Sequence, residues 1–268
     1  MSNLTVRLLT AGIGIPIVLW LMFLAPSPSF YGLVLAAVLA GAGEAHAMGA
    51  PEDRVGRLVT MLGAAGISLA LYFGHGALPI ASALAAAVVA ILVVHLLRVG
   101  AMETVGRRVA TSLGSALYVG VLLTFVGLLH RAPFGPWWVM LALTVTWLGD
   151  TGAYAAGRLL GRHKLYALVS PAKTWEGAAG GMLASTGAAL LAHATYLPAL
   201  SVRDALLIAI PGSMLGIVGD LCESLLKRSF GVKDSGKILP GHGGMLDRVD
   251  ALMFVAPYVY LYAAWTRG

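Results

Sequence analysis

Asp220, Glu223, Ser224 and Lys227 recur at i, i+3, i+4 and i+7. In a helix that spacing places two carboxylates, a hydroxyl and an ammonium on one face. Asp247 and Asp250 follow at i, i+3. Two helices that carry these acids to one level can present hard oxygens across a narrow gap. Hard oxygens with few other donors suit Mg²⁺, which keeps its waters and binds through one or two carboxylates plus substrate phosphates. Asp220, Asp247, Asp250 and Glu223 are therefore candidate metal ligands. Lys227, Arg228, Lys233 and Lys237 lie between the two acid pairs, where they can neutralise phosphate oxygens. Carboxylates mixed with cations suit phosphoryl or nucleotidyl transfer better than acyl transfer.

A second cluster lies upstream. Asp150, Tyr154 and Arg158 repeat every fourth residue along one helix face, followed by "GRHKLYALVSPAKTWEG". Ser170-Pro171 reads as a turn. Lys173 then sits beside a helix N-terminus, itself an anion site. Thr174 is the expected cap, with Glu176 in the first turn. Gly157 and Gly161 leave room for close backbone approach. Arg158, Arg162 and Lys164 read equally well as basic anchors on the inner side of a membrane.

Other chemistries fall away. Gly231-x-x-x-x-Gly236-Lys237 has most of a P-loop, but Ile238 stands where Ser or Thr is required, a charged helix precedes it and Pro240-Gly241 follows at once. Ser224, His242 and Asp247 are close in sequence, yet there is no G-x-S-x-G elbow to expose a nucleophile. His242, flanked by glycines in "PGHGG", is a loop histidine able to touch phosphate or ribose, to carry a proton, or to bond backbone. No Cys/His spacing suits zinc, and the single Cys222 excludes an internal disulfide.

The elements that must position these residues are membrane helices. The 268 residues are 59% hydrophobic and 11% charged, with mean hydropathy +0.85. A soluble domain carries about 25% charged residues. The expected fold is all-α, a polytopic integral membrane helical bundle. Nine apolar segments reach the ~20 residues needed to span, at roughly 8–25, 29–49, 57–74, 77–97, 109–130, 136–157, 175–197, 204–226 and 246–265. The first is too long for a signal-peptide core and reads as a retained helix. A cytoplasmic N-terminus puts Arg131, Arg203 and Arg267 outside and all the other Lys and Arg of the 18 inside, as the positive-inside rule requires. "GAAGG" at 177–181 reads as a packing surface. Acids inside apolar helices, Glu44 among them, mark functional sites or buried ion pairs. The net charge of +6 reflects inner loops and suits a phosphate-bearing substrate; no nucleic-acid motif accompanies it.

"SLLKRSFGVKDSGKILPGHGGMLDRVD", residues 224–250, resembles the signature of the phosphatidate cytidylyltransferase (CDP-diacylglycerol synthase) family, with Ser224, Lys227, Arg228, Lys233, Asp234, His242, Asp247, Arg248 and Asp250 at its fixed positions. "GDTGAYAAGRLLGR", "SPAKTWEG" and "GDLCES" look like the same family's other motifs. Glu44 is similar to an acid the family carries there, although Ala45 replaces the aromatic expected next. The resemblance implies conversion of CTP and phosphatidic acid to CDP-diacylglycerol and pyrophosphate. It implies Mg²⁺, a second cation such as K⁺, and a homodimer in the cell membrane with the active site facing the cytoplasm. Asp220, Asp247, Lys227, Arg228, Lys233 and His242 are then catalytic. Asp150, Tyr154, Arg158, Ser170, Lys173, Glu176, Ser224, Asp234 and Arg248 bind substrate. Residues 1–100 serve packing, dimer contact or lipid, and 101–268 form the catalytic bundle. CDP-alcohol phosphatidyltransferases are excluded because their D-G-x-x-A-R pattern is absent. A cation- or proton-coupled transporter is the non-enzyme alternative; it calls for broken helices and inverted repeats, which the sequence does not display.

Overall fold

The computed structural model describes residues 3–241 and 243–267. Ten helices account for most of it: α1 Asn3–Phe23, α2 Ser27–Gly49, α3 Arg54–Phe73, α4 Ala77–Leu97, α5 Met102–Leu122, α6 Thr124–Arg131, α7 Gly135–Leu160, α8 Trp175–Ala194, α9 Val202–Ser229 and α10 Leu246–Arg267. Each expected apolar segment is helical. The fifth is interrupted at Leu123, where α5 gives way to α6. Among the described residues five stretches are long and apolar enough to cross a membrane: α2, α3, α4, the Met102–Arg131 run and α9.

One departure from an all-α reading is a small antiparallel hairpin, β1 Lys164–Tyr166 with β2 Ser170–Thr174. Its turn falls on residues 167–169, so Ser170-Pro171 opens a strand instead of making the turn. Proline is tolerated there because a strand of a two-stranded sheet always has a side with no ladder partner.

The chain divides into two compact units, 1–128 with 230–249, and 129–229 with 250–268. In the first, α4 shows what a lipid-facing helix looks like. Only Ala87, Ile91 and His95 are buried, a single stripe at four-residue spacing, while Leu78, Val89, Leu92, Leu96 and Leu97 are exposed. That stripe packs on α3, where Gly63 meets Ala87. Gly120 of α5 is as close to α3, since a Cβ there would lie 2.9 Å from the Ala64 backbone. Tyr31 stacks on Tyr72 at 3.7 Å and shares a 2.9 Å hydrogen bond with Ser68.

Asp53 organises the charged end of this unit. Its carboxylate accepts the Gly56 N–H at 2.9 Å and caps α3. It also pairs with His95 at 3.2 Å, Arg98 at 3.4 Å and Arg108 at 3.6 Å. Burial pushes this carboxyl up, but the Gly56 N–H and the charges of His95, Arg108 and His46 outweigh it, so it lies below its ordinary value of 3.8. The sign follows from linkage: stabilisation by Asp53 is present above pH 3.8 and is lost as pH falls through the lowered value. Asp53→Asn should therefore reduce the thermal stability of the solubilised protein near pH 7 and narrow its gap to wild type in strong acid. A gap that does not change with pH would exclude this account.

In the second unit α7 and α8 meet through glycines. A Cβ on Gly149 would lie 2.5 Å from Ser185 Oγ, and one on Gly181 2.9 Å from the Gly149 carbonyl. Gly152 abuts Ala184, and Gly180 abuts Ala156. Without a hydrophobic drive in lipid, such close approach is what holds membrane helices together. The "GAAGG" run is thus a packing surface. α9 and α10 run antiparallel. Tyr262 donates to Asp204 and Tyr258 to the Leu207 carbonyl, both at 2.5 Å. Toward the other end of the pair a Gly219 Cβ would lie 2.7 Å from the Asp250 carbonyl.

Candidate active site

The close approach at Gly219 brings Asp220 of α9 and Asp250 of α10 into one electrostatic neighbourhood, which Asp150 of α7 also enters. The three carboxylates repel one another; Lys173 offsets Asp150, and Lys227 offsets Asp250. Lys173 Nζ lies 2.5 Å from Asp220 Oδ2. Ser224, one turn on, donates to Asp220 Oδ1 at 3.2 Å. The i, i+3, i+4, i+7 face of α9 thus does gather a carboxylate, its hydroxyl donor and, at its far end, the Lys227–Glu223 ion pair. Glu223 is 0% exposed, so this pair orients the lysine from within the helix bundle.

The hairpin is what carries Lys173 to this place. Glu176 accepts the Arg162 N–H at 3.1 Å and the His163 N–H at 3.2 Å, and meets the His163 ring at 2.6 Å. Trp175 N–H bonds the His163 carbonyl at 3.0 Å. Thr174 caps α8 through Gly177 N–H at 3.0 Å. Lys173 is the residue before that cap and inherits its fixed direction. Glu176, expected to touch substrate, is engaged in tying the hairpin to α8.

A cleft of about 470 Å³ opens here, lined by Asp150, Tyr154, Arg158, Lys173, Thr174 and Asp220, with Ala153, Leu165 and Ile217 as its apolar wall. Tyr154 and Arg158 are bonded at 2.9 Å, so the α7 face acts as one surface. A smaller void of about 40 Å³ is lined by Asp150 and Lys173 together with Thr146, Ser185 and Ser213. Sequence reading missed Ala153, Ser213 and Ile217. Helical period could have found them: Ala153 is three residues after Asp150, and Ile217 and Ser213 are three and seven before Asp220.

Ser170 begins β2. Arg228, at the end of α9, is exposed, as are Lys233, Asp234 and Arg248. Lys233, Asp234, Asp247 and Arg248 belong to the first unit. There Asp247 accepts the Ser235 N–H at 3.1 Å and the Gly244 N–H at 2.9 Å. His242 lies outside the described residues.

Among the described residues no group of three or more His, Cys, Asp or Glu side chains is placed to hold a metal, so a protein-only cage does not fit. A cation that takes one or two carboxylates and completes its shell with water and phosphate does fit. Asp150, Asp220, Asp250 and Glu223 are the carboxyl groups of this cluster in the second unit, and the interacting lysines are Lys173 and Lys227.

Apolar helices long enough to cross a bilayer, with two carboxylates, a lysine and an arginine lining one cleft, describe a helical membrane protein. The cytidylyltransferase family pattern matches residues 5–266. The chain belongs to that family. Curated relatives include phosphatidate cytidylyltransferases of Staphylococcus epidermidis, 47% identical over 148 residues, and Staphylococcus aureus, 43% identical over 150 residues. Each match covers 55% of this chain and 56% of the relative, so the chain spans a little over half the length of the curated relatives it matches.

Proposed function

We propose that this chain transfers the cytidylyl group of CTP to phosphatidic acid, forming CDP-diacylglycerol and pyrophosphate in phospholipid biosynthesis. The observation that carries the reading is the Lys173–Asp220 pair at 2.5 Å in a cleft that also holds Asp150, in a chain of the cytidylyltransferase family. In the reaction a phosphate oxygen of the lipid forms a bond to the α-phosphorus of CTP. The bond from that phosphorus to the bridging oxygen breaks, and pyrophosphate departs with the electron pair. The lipid phosphate is already ionised and needs no strong base. Both reactants are anions, so the barrier is repulsion and positioning.

Lys173 and Arg158 are the cations at the cleft and take phosphate oxygens. Asp220 and Asp250 would hold Mg²⁺, with Ser224 orienting Asp220. Bound there, Mg²⁺ would supply charge neutralisation on the nucleotide phosphates. The apolar wall of Ala153, Leu165 and Ile217 suits the diacylglycerol end of the lipid, and CTP enters from water. All nine apolar segments span the cell membrane in this reading, with the N-terminus and the cleft on the cytoplasmic side, and the chain forms a homodimer.

The test uses purified full-length protein in detergent with labelled CTP and phosphatidic acid, with and without Mg²⁺. Lipid-linked cytidine and an equal amount of pyrophosphate should appear only with the metal. No lipid-linked cytidine under any condition overturns the reading.

A further inference from the structure

We infer that Glu44 is a positioning residue that shapes, from within, the turn residues 235–236 and 244–246 and through them sets the carboxylate of Asp247. Its effect on catalysis rests on the function proposed above and on the catalytic role that the family resemblance gives Asp247; its effect on the turn does not.

Glu44 lies in α2 and is 2% exposed. Its Oε2 accepts the Leu246 N–H at 3.0 Å and the Ser235 hydroxyl at 3.3 Å. Leu246 is the first residue of α10, so its N–H has no partner within the helix. An acid 202 residues away thus caps α10. A carboxylate at that end is favoured by the helix dipole as well.

The turn is built around this carboxylate. Gly236 and Gly244 both face it. A Cβ on Gly236 would run into the carboxylate, and one on Gly244 would lie 2.7 Å from Oε2 and strike the Ser235 hydroxyl. Both glycines are needed for space, because neither has a positive φ. The same segment then addresses Asp247. Ser235 gives its hydroxyl to Glu44 and its N–H to Asp247, and Gly244 packs on Glu44 while its N–H bonds Asp247. Ser235 and Gly244 therefore link the two acids, and Glu44 governs Asp247 without touching it.

Glu44 Oε1 is buried and has no hydrogen-bond partner among the described residues. That asymmetry separates positioning from charge. A glutamine can keep its oxygen at the Oε2 position and place its amide where Oε1 stood. If Glu44 works by accepting two hydrogen bonds, Glu44→Gln retains the function. If it works as a charge, on a cation or a proton, Glu44→Gln fails as fully as Glu44→Ala.

Amide hydrogen exchange on the intact solubilised protein and steady-state kinetics test this together. Glu44→Ala should speed exchange at Ser235, Gly244 and Leu246 by about tenfold or more, as local opening predicts. It should lower kcat about tenfold or more with KM for phosphatidic acid within about threefold, the pattern of a displaced reacting group. Glu44→Gln should leave exchange and kcat within about threefold of wild type. Gly236→Ala should lower kcat in wild type and have no further effect in Glu44→Ala, since the two share one contact. If Glu44→Ala does not fold, Ser235→Ala and Gly236→Ala probe the same link. A Glu44→Gln protein as impaired as Glu44→Ala overturns the inference, and so does unchanged exchange in Glu44→Ala or, in its place, in both Ser235→Ala and Gly236→Ala. If wild type makes no lipid-linked cytidine, the proposed function fails and the exchange data still judge Glu44.

Discussion

Asp220→Asn should lower the rate of cytidylyl transfer by about 100- to 1,000-fold, the range seen when one preorganised electrostatic group is removed from an active site. The substitution preserves size, and Ser224 can still donate to the remaining carbonyl oxygen. Charge is what disappears. Lys173 Nζ, now 2.5 Å from a carboxylate, would face a neutral amide, and the proposed Mg²⁺ would keep only Asp250 of its two acids. Lys173→Met should have an effect of similar size for the complementary reason: Asp220 then stands with Asp150 and Asp250 and loses the ammonium beside it. Because the two groups act as a pair, the double variant should be little worse than either single one. Initial rates at saturating CTP and lipid, over a Mg²⁺ titration, decide this. A Asp220→Asn protein that retains more than about a tenth of wild-type rate at every Mg²⁺ concentration would falsify the assignment of Asp220.

Gly180→Val should be the most damaging change at the helix interface of the second unit, lowering stability by about 2–4 kcal/mol, at or above the usual overpacking range. A Cβ at 180 runs into Ala156 and stands 3.0 Å from the Gly152 carbonyl. The carbonyl is backbone and cannot rotate aside, so α7 and α8 must separate. Separation moves Asp150, which rides on α7, away from Lys173, which is anchored at the start of α8. Activity should therefore fall with stability. Gly187→Val on the same helix is the control, because no atom lies within 4 Å of its Cβ position and that position is exposed. Thermal unfolding of the two variants in one detergent compares them. Equal midpoints would mean that the glycine contact does not hold the pair.

Much of this was legible without coordinates because helices in lipid obey local rules. A run of about 20 apolar residues must satisfy its own backbone hydrogen bonds, and only a helix does so within one segment. Every expected apolar segment is accordingly helical. The face that holds Asp220, Ser224 and Lys227 was readable from period alone, and so was the Thr174 cap. The hairpin was not. Its strands have three and five residues, too short for a period to register, and its turn carries no Gly or Pro to mark it. Ser170-Pro171 drew attention to the wrong place for that reason.

Residue types and spacing by themselves determined that the chain is a membrane protein, where its helices run, and that acids and cations suited to phosphate chemistry cluster in its second half. Those facts depend on composition and on periods of a few residues. Only the tertiary structure decided which of the charges meet. Lys173 pairs with Asp220 across 47 residues, and Glu44 caps α10 across 202. Asp247 and Asp250, neighbours on one helix face, fall in different compact units. Such pairings depend on where glycines let backbones approach, at Gly219, Gly236 and Gly244. Close approach is a property of two segments together, and neither segment's sequence contains it.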